Sequence, residues 1–579
     1  MKVSNRPAVP LLGDWLSIDW KVIESQVWGI QQRIYHAESN GQRRKVRELQ
    51  RMISRSQSAL LLAIRRVTQL NKGKRTAGVD GYRTLTNEDR VELYNKLKDY
   101  NVKLHEPLPA KRTYIEKDNN KLRPLGIPTF TDRVYQHIAK LALEPQWEYK
   151  FEGSSYGFRP KRGAHDAIAN IFNKFGGSSN KQWVFEGDFK GCFDNLSHEH
   201  IVEQLGNFPL KELIIKWLKA GYVENDTFNT TDSGTPQGGI ISPLLANIAL
   251  HGMEEELGIK YRKRNGEDSG TVESPFSLVR YADDFVIITS TKSEATEMYD
   301  KLKPYLEKRG LELAMDKTKV THISEGFDFL GFNVKQYNGK LLIKPSKKSI
   351  KKAKMKISET FNQLKGKPVD ILIGKLNPII RGYANYWKPV VAKETFSDID
   401  HHVFTLGVKF LKRMHPMKSW KWIKARYYKG DIAGQSRDKW LLTSPTKGNQ
   451  IIKMSWTPIE RYVLIRHRYT PYNKELQDYF AKRDEKLFLK NNVSSRQKLA
   501  KKQKFICPMC DRSIINGDEG LELHHMIPKA KGGDNKYNNL QLVHISCHID
   551  HHRKFPVKGR IPTEIMVKAS KKSRKAYTS

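Results

Sequence analysis

The chain has 579 residues, which at roughly 150 residues per domain predicts about four domains. Its 102 Lys and Arg outnumber 62 Asp and Glu, giving a net charge of +40 and a pI near 9.8. That imbalance points to a polyanionic partner, nucleic acid ahead of an anionic membrane surface. No run of 18 apolar residues occurs, and the opening MKVSNRPAVPLLGDW lacks a charged segment followed by an apolar one, so neither a membrane span nor secretion is expected. At this length a core can be buried without disulfides. Three of the four cysteines fall between Cys507 and Cys547, the clustering of a metal site in a reducing compartment.

Residues 15–70 carry helical periodicity, with Val46, Leu49, Ile53, Leu60, Ile64 and Val67 at spacings near 3.6. TAGVDG (76–81) closes this stretch with a Gly-rich turn. Residues 110–345 alternate short β-like runs with helical ones, as in a mixed α/β domain. WVFEGD (183–188) and SLVRYADDFVIIT (277–289) are the clearest strands, and both carry acidic residues where the apolar run breaks. From Leu341 to Lys365 the chain holds eight Lys and one Glu, with Ile350, Ile357, Phe361 and Leu364 at near-heptad spacing. This predicts a basic amphipathic helix, with a domain boundary near 345. An aromatic-rich helical region follows to about 430, then a polar, weakly patterned stretch over 431–500. LAKKQK (499–504) reads as a basic linker, 505–555 as a Cys/His-rich unit, and KASKKSRK (568–575) as a basic tail.

Tyr281-Ala282-Asp283-Asp284 lies inside a β-rich apolar run. Adjacent Asp residues in a buried strand are costly unless neutralised; the plainer reading is a hairpin turn with Asp at its tip. Asp188 ends another apolar strand 95 residues upstream. Phosphoryl transfer with two divalent ions about 3.5–4 Å apart needs carboxylates from neighbouring strands, and Asp188, Asp283 and Asp284 can supply them. SGTPQGGIISPLLANIAL (233–250) adds a Gly/Pro loop that enters an apolar helix.

In this order the three segments resemble the palm of reverse transcriptases. NKGKRTAGVDG (71–81), KLRPLGIPT (121–129), SYGFRP (155–160), GLELAMDKTK (310–319) and FDFLGF (327–332) resemble the ordered blocks of group II intron-encoded reverse transcriptases. RGYANYW (381–387) resembles the signature of that family's maturase domain, domain X. The match runs from about residue 20 to the C-terminus.

The resemblance implies that Asp188 and Asp283 bind two Mg²⁺ ions, with Asp284 beside them as an auxiliary carboxylate. It places Phe193 at the steric gate against a 2′-hydroxyl, although a core Phe is the bland reading. Gln237 would contact the incoming nucleotide, and Lys117 and Arg123 its triphosphate. Lys317 would protonate the leaving pyrophosphate, with Lys319 as the neighbouring alternative, and Tyr281 would pack beside the primer end.

KFLKRMHPMKSWKWIKARYYK (409–429) interleaves cations with Trp420, Trp422, Tyr427 and Tyr428. Bases stack on aromatics while cations meet phosphate; a thumb helix packing its Trp residues inward is the equal alternative. In the family this region binds intron RNA, which makes Arg381 and Lys388 candidate contacts.

Cys507-Pro-Met-Cys510 and His544-Ile-Ser-Cys547 are two knuckles that can make a tetrahedral Cys₃His zinc site. Between and after them, E-x-H-H (522–525), Asn538-Asn539-Leu540 and Cys547-His548 resemble the HNH endonuclease motif of the ββα-metal fold. The resemblance implies His525 as general base, His524 and His548 as ligands of a catalytic divalent ion (Mg²⁺ or similar), and Asn539 as the residue that orients His525. His544 stands where relatives often carry Cys, and His551 and His552 have no assigned role.

The expected fold is multidomain α/β. Residues 1–80 would extend the fingers, 81–345 would form the fingers and palm of a right-hand polymerase, and 346–430 an α-helical thumb, domain X. A DNA-binding region and linker would occupy 431–500, and a zinc-stapled HNH module with its basic tail 501–579. The expected function is that of a group II intron-encoded protein: RNA-directed DNA polymerase, splicing maturase and DNA endonuclease in target-primed reverse transcription. Its partners would be its intron RNA as a ribonucleoprotein, double-stranded target DNA and dNTPs, with no membrane, in a prokaryotic nucleoid or an organelle. Intact Asp188, Asp283 and Asp284 argue against a splicing cofactor with a dead polymerase. RGYANYW and the HNH tail argue against a retron enzyme, and roughly 500 preceding residues argue against a lone homing endonuclease.

Overall fold

The computed structural model describes residues 13–116, 122–176, 180–264, 267–434 and 436–555. Lys117 and the basic tail lie outside them. The N-terminal periodicity resolves into α1 (Trp20–Ser39), α2 (Arg43–Ser54) and α3 (Gln57–Arg65). Asp19 caps α1 by accepting from the amides of Lys21 and Val22, and Ser56 caps α3 by accepting from Ala59. All six periodic residues are buried. They pack with α5 (Phe130–Lys150) into one core, and α4 (Asn87–Leu97) closes its side.

One four-stranded sheet is built from β1 (Ala110–Glu116), β2 (Leu122–Ile127), β4 (Tyr222–Glu224) and β5 (Thr227–Asn229), in the order β2-β1-β4-β5. A second sheet holds β3 (Trp183–Gly187), β8 (Ser277–Tyr281), β9 (Asp284–Thr289) and β10 (Lys319–His322), in the order β10-β3-β9-β8. Alternate residues feed opposite faces. Phe185, Leu278, Phe285 and Ile287 join the N-terminal core; Val184, Val279 and Val286 join the core shared with α6 (Ala164–Phe175) and the C-terminal helices. β6 (Tyr261–Arg264) and β7 (Glu267–Val272) form a side ribbon.

Three expectations need correction. Residues 277–289 are not one strand but an antiparallel hairpin that turns at Ala282-Asp283, the plainer of the two readings of Tyr-Ala-Asp-Asp. Leu341–Pro345 is not helical. It belongs to β13 (Lys340–Pro345), third in a sheet with β11 (Phe327–Phe329) and β12 (Phe332–Tyr337). The Asn338-Gly339 pair, with φ of +45° and +77°, makes the two-residue turn that folds β13 back. The basic helix starts at Lys347 and runs to Gln363, capped by Ser346 and burying Ala353, Ile357 and Phe361. Finally, 499–504 is not a linker. A helix spans Ser494–Lys502, and Leu499 and Ala500 are buried in a core with Phe488, Cys507, Ile514, Leu542 and Val543.

Helices Val369–Trp387, Lys393–Met414 and Trp420–Tyr427 complete a helical unit, closed by β14 (Tyr428–Lys429) and β15 (Leu441–Leu442). At the C-terminal end, β16 (Leu521–His525) and β17 (Leu540–His544) form a hairpin followed by a helix, Ile545–Lys554. Among the described residues no helix is long and apolar enough to cross a membrane.

The ββα unit is docked on the N-terminal helices. Glu24 of α1 accepts from Arg65 at 3.2 Å and from Arg512 at 2.6 Å, and both arginines lie within 3.7 Å of Glu519. Trp20 covers the Arg65 guanidinium at 4.4 Å. Gln69 donates to Asp550, and Arg553 donates to Asn87. Replacing Glu24 with alanine leaves two nearly buried guanidinium groups sharing one carboxylate, which should cost on the order of 1–2 kcal/mol. The expected outcome is about tenfold faster limited proteolysis between residues 503 and 520; an unchanged rate would mean that this ion cluster does not hold the dock.

Candidate active sites

β3 ends at Gly187, paired with Phe285, so Asp188 leaves the sheet beside Asp284. Asp283 occupies the turn between β8 and β9, and Tyr281 pairs with Asp284 across it. Ala282 takes φ +57°, a left-handed conformation costly for a residue with a Cβ. Arg280, fully buried, braces the turn: its Nη1 donates to the Ala282 carbonyl at 3.3 Å and to Asn247 Oδ1 at 3.3 Å. Asn247 in turn donates to the Gly157 carbonyl at 2.8 Å. A Cβ on Gly157 would lie 2.4 Å from the Ala282 amide nitrogen, so only glycine lets this segment press against the hairpin tip. The sequence reading missed Arg280 and Asn247; the available signal was a lone cation inside an apolar strand.

The carboxylates crowd one another. Asp284 keeps an exposed edge, yet partial desolvation and the neighbouring Asp283 and Asp188 push its carboxyl up to about 6. Asp283 is raised as well, chiefly by burial, against the pull of Arg123 and Lys317. Lys317 Nζ sits 3.0 Å from Asp188 Oδ2, a contact that raises its own pKa. Lys319 pairs instead with Glu186 at 3.3 Å, which separates the two lysines. The three carboxylates share one end of the sheet but do not converge as tightly as the Cys/His groups described below.

Around them, Arg123 Nε donates to Gln237 Oε1 at 2.9 Å, and Gln237 Nε2 lies 3.3 Å from Asp194. Gly238, at φ +134°, passes so close to the Gly126 carbonyl that a Cβ would lie 2.4 Å away, which ties this loop to β2. Phe193 is half-buried, edge-on to Phe158 at 6.4 Å, and partly packed on the N-terminal core. Tyr281 is half-buried next to the turn.

At the C-terminal end, the ligand atoms of Cys507, Cys510, His544 and Cys547 lie within 4.8 Å of one another. Hydrogen bonds from Cys507 and Cys547 hold the Cys510 thiol well below its usual range, favouring the thiolate that binds metal. This donor set fits a tetrahedral zinc ion.

A second group within the same limit is His524, His548 and His552. His552 had no assigned role; it lies one turn beyond His548 on the same helix face, a spacing that was legible. His548 Nδ1 bonds Glu522 Oε2 at 2.6 Å, fixing the ring. Burial and the neighbouring histidines lower His524 to about 4, so its imidazole stays neutral as a ligand must. His525 follows on the strand, is more exposed, and bonds Asn535 at 2.9 Å. Asn539 is buried; its Oδ1 accepts from the Ile527 amide at 2.7 Å, and its Nδ2 donates to the carbonyls of Ile527 and Asp534. It thus fastens the loop that leaves His525.

The aromatic stretch divides. Trp420 and Trp422 are half-buried, with Lys418 and Arg426 within 5.5 Å of the Trp422 ring. Arg381 is half-exposed. Lys388 is not a surface cation: it is buried, and its Nζ donates to the Lys490 carbonyl at 3.0 Å, joining two helices.

Four family models match the chain in order. They are an N-terminal domain of reverse transcriptase over 15–97, a reverse transcriptase (RNA-dependent DNA polymerase) over 115–334, a group II intron maturase-specific domain over 350–428, and an HNH endonuclease over 507–554. The group II intron-encoded protein LtrA of Lactococcus lactis is 35% identical over 46% of this chain and 53% of its own, so the chain spans about half the length of that relative. Protein YkfC of Escherichia coli is 36% identical over 50% of this chain and 82% of its own. Maturase-like protein 1 of Euglena longa is 26% identical over 64% of this chain and 77% of its own. With the paired carboxylates on a braced hairpin and the histidine cluster on a ββα unit, these matches make the chain a member of the group II intron-encoded protein family that joins reverse transcriptase, maturase and HNH endonuclease domains.

Proposed function

We propose that the chain copies RNA into DNA from a 3′ end that its own HNH module helps to create, working as a ribonucleoprotein with its intron RNA. The observation that carries this reading is the placement of Asp188, Asp283 and Asp284 at one sheet end with Lys317 on Asp188. Two Mg²⁺ ions held by Asp188 and Asp283 would supply Lewis-acid polarisation and charge neutralisation at the transferring phosphoryl group. Arg123 would leave Gln237 to clamp the triphosphate, and Gln237 would then face the nucleotide. Lys317, already protonated beside Asp188, would give its proton to the departing pyrophosphate. Phe193 would lie under the sugar and exclude a 2′-hydroxyl, while Tyr281 would flank the primer end.

In the second module His525 would take a proton from water. His524, His548 and His552 would hold a divalent ion that stabilises charge on the leaving oxygen. Cys507, Cys510, His544 and Cys547 would hold zinc, and Asn539 would orient His525. The 346–430 region would act as thumb and maturase surface, with Arg381, Trp420 and Trp422 meeting intron RNA. The HNH module would begin upstream of 501, because the Gln477–Asn491 and Ser494–Lys502 helices share its core.

Asp283→Ala should abolish primer extension on an RNA template while RNA binding stays within about twofold. Extension by this variant with Mg²⁺ would sink the palm assignment. Phe193→Val should raise ribonucleotide over deoxyribonucleotide incorporation by at least about tenfold, since a clash worth on the order of 1.4 kcal/mol is removed; an unchanged ratio would leave Phe193 a packing residue. His525→Ala should lose strand nicking and keep extension. Cys510→Ser should also make 505–555 protease-sensitive, because zinc binding energy is folding energy in so small a unit. Normal nicking by His525→Ala, or an unchanged digestion pattern for Cys510→Ser, would overturn the corresponding role.

A further inference from the structure

Directly after His525 the chain exposes two large apolar side chains, Met526 at 47% and Ile527 at 56%. Such exposure is ordinary on a mobile loop, but here the backbone is fastened. The Met526 amide donates to the Asn539 carbonyl at 3.0 Å, and Asn539 brackets Ile527 on both its amide and its carbonyl. Pro528 follows and fixes the next φ. Gln541 Nε2 reaches Met526 Sδ at 3.1 Å, which holds that side chain in place as well. The pair is therefore held outward, and it stands beside His525.

The rim is cationic. Lys529, Lys531 and Lys536 are exposed on the same loop; Lys498 approaches Tyr537 at 5.8 Å, and Lys502 bonds Asn538. A surface of lysines around a rigid apolar point suits a ligand that is anionic outside and apolar within. Duplex DNA has that make-up, and its apolar part is reached only by parting two stacked base pairs.

We infer that Met526 and Ile527 form a wedge that enters a base step of duplex DNA next to the scissile phosphate, opening the step and bending the strand toward His525. Lys529, Lys531 and Lys536 then grip the flanking phosphates. The inference rests on the nuclease reading of His525 and adds how the duplex is engaged.

The test uses the full-length chain with its intron RNA and a duplex carrying the sequence it nicks, either fully paired or with a two-base mismatch at the step nearest the cut. Ile527→Ser and Met526→Ser are compared with the unaltered chain. Both serines replace exposed side chains, so the fold should persist, checked by unchanged primer extension. Nicking of the paired duplex should fall about tenfold or more, while nicking of the mismatched duplex should fall less than about twofold, because the opening is already made. Equal losses on both substrates, or no loss on the paired one, overturn the wedge.

A second measurement does not depend on cleavage. With 2-aminopurine at the step, fluorescence should rise when the His525→Ala chain binds and stay flat when His525→Ala/Ile527→Ser binds. A rise with both chains, or with neither, overturns the wedge. Nicking by His525→Ala itself would instead remove the nuclease role of that histidine and leave the fluorescence result to decide the wedge.

Discussion

Ala282 holds a left-handed backbone at the tip of the palm hairpin, and keeping it there requires a buried guanidinium. The chain reverses in two residues at this point, so Asp283 projects from the turn while Asp284 begins the returning strand beside Asp188. A wider loop would carry Asp283 away from Asp188. Arg280 stabilises the tight turn by bonding the Ala282 carbonyl, and Asn247 and Gly157 close the space behind it. Arg280 also lies 3.7 Å from Glu152, so its charge is matched inside the core without neutralising the carboxylates at the sheet end. The brace thus allows three acidic groups to stay close despite their repulsion.

The two ends of the molecule solve opposite electrostatic problems. In the palm, crowding pushes Asp284 up to about 6, so a cation lowers the free energy of the site by relieving repulsion already present. In the ββα unit, His524 is kept from gaining charge: burial and the neighbouring histidines lower it to about 4. Neutral imidazoles bind a divalent ion without first losing protons. In the palm the crowding itself favours a cation, whereas in the ββα unit His524 is held in its ligand form in advance, and the difference follows from the ligand type, carboxylate in one and imidazole in the other.

What the sequence made legible was local. Periodicity identified the buried face of the N-terminal helices, and spacing identified the carboxylates and the two knuckles. The missed features depend on conformation or on distant partners. An alanine at positive φ has no compositional signature, so the turn inside 277–289 stood only as one of two readings of Tyr-Ala-Asp-Asp. Asn338-Gly339 was a turn signal, but the lysine run around it dominated the reading of 341–365. Lys388 looks like any surface cation until Lys490 closes over it. Leu499 and Ala500 are too few apolar residues to mark a buried helix face amid Lys-rich sequence. His552 was the exception, since its spacing from His548 already placed both on one helix face.

The dock between the modules shows why position in sequence understates their dependence. Arg512 follows Cys510 by two residues, its carbonyl accepts from the Cys507 amide at 2.9 Å, and its side chain reaches Glu24 on α1 at 2.6 Å. One residue therefore ties the backbone of the first knuckle to the N-terminal helix. With zinc bound, the knuckle would keep its place, and Arg512 its reach to Glu24. If the knuckle opens, Glu519 moves with it, and the nearly buried Arg65 is left with Glu24 in place of two carboxylates. Loosening the small module then carries a cost inside the large one. Zinc held in the knuckle would accordingly set both the fold of the ββα unit and its seat on the N-terminal helices, and with them the direction in which Met526 and Ile527 point.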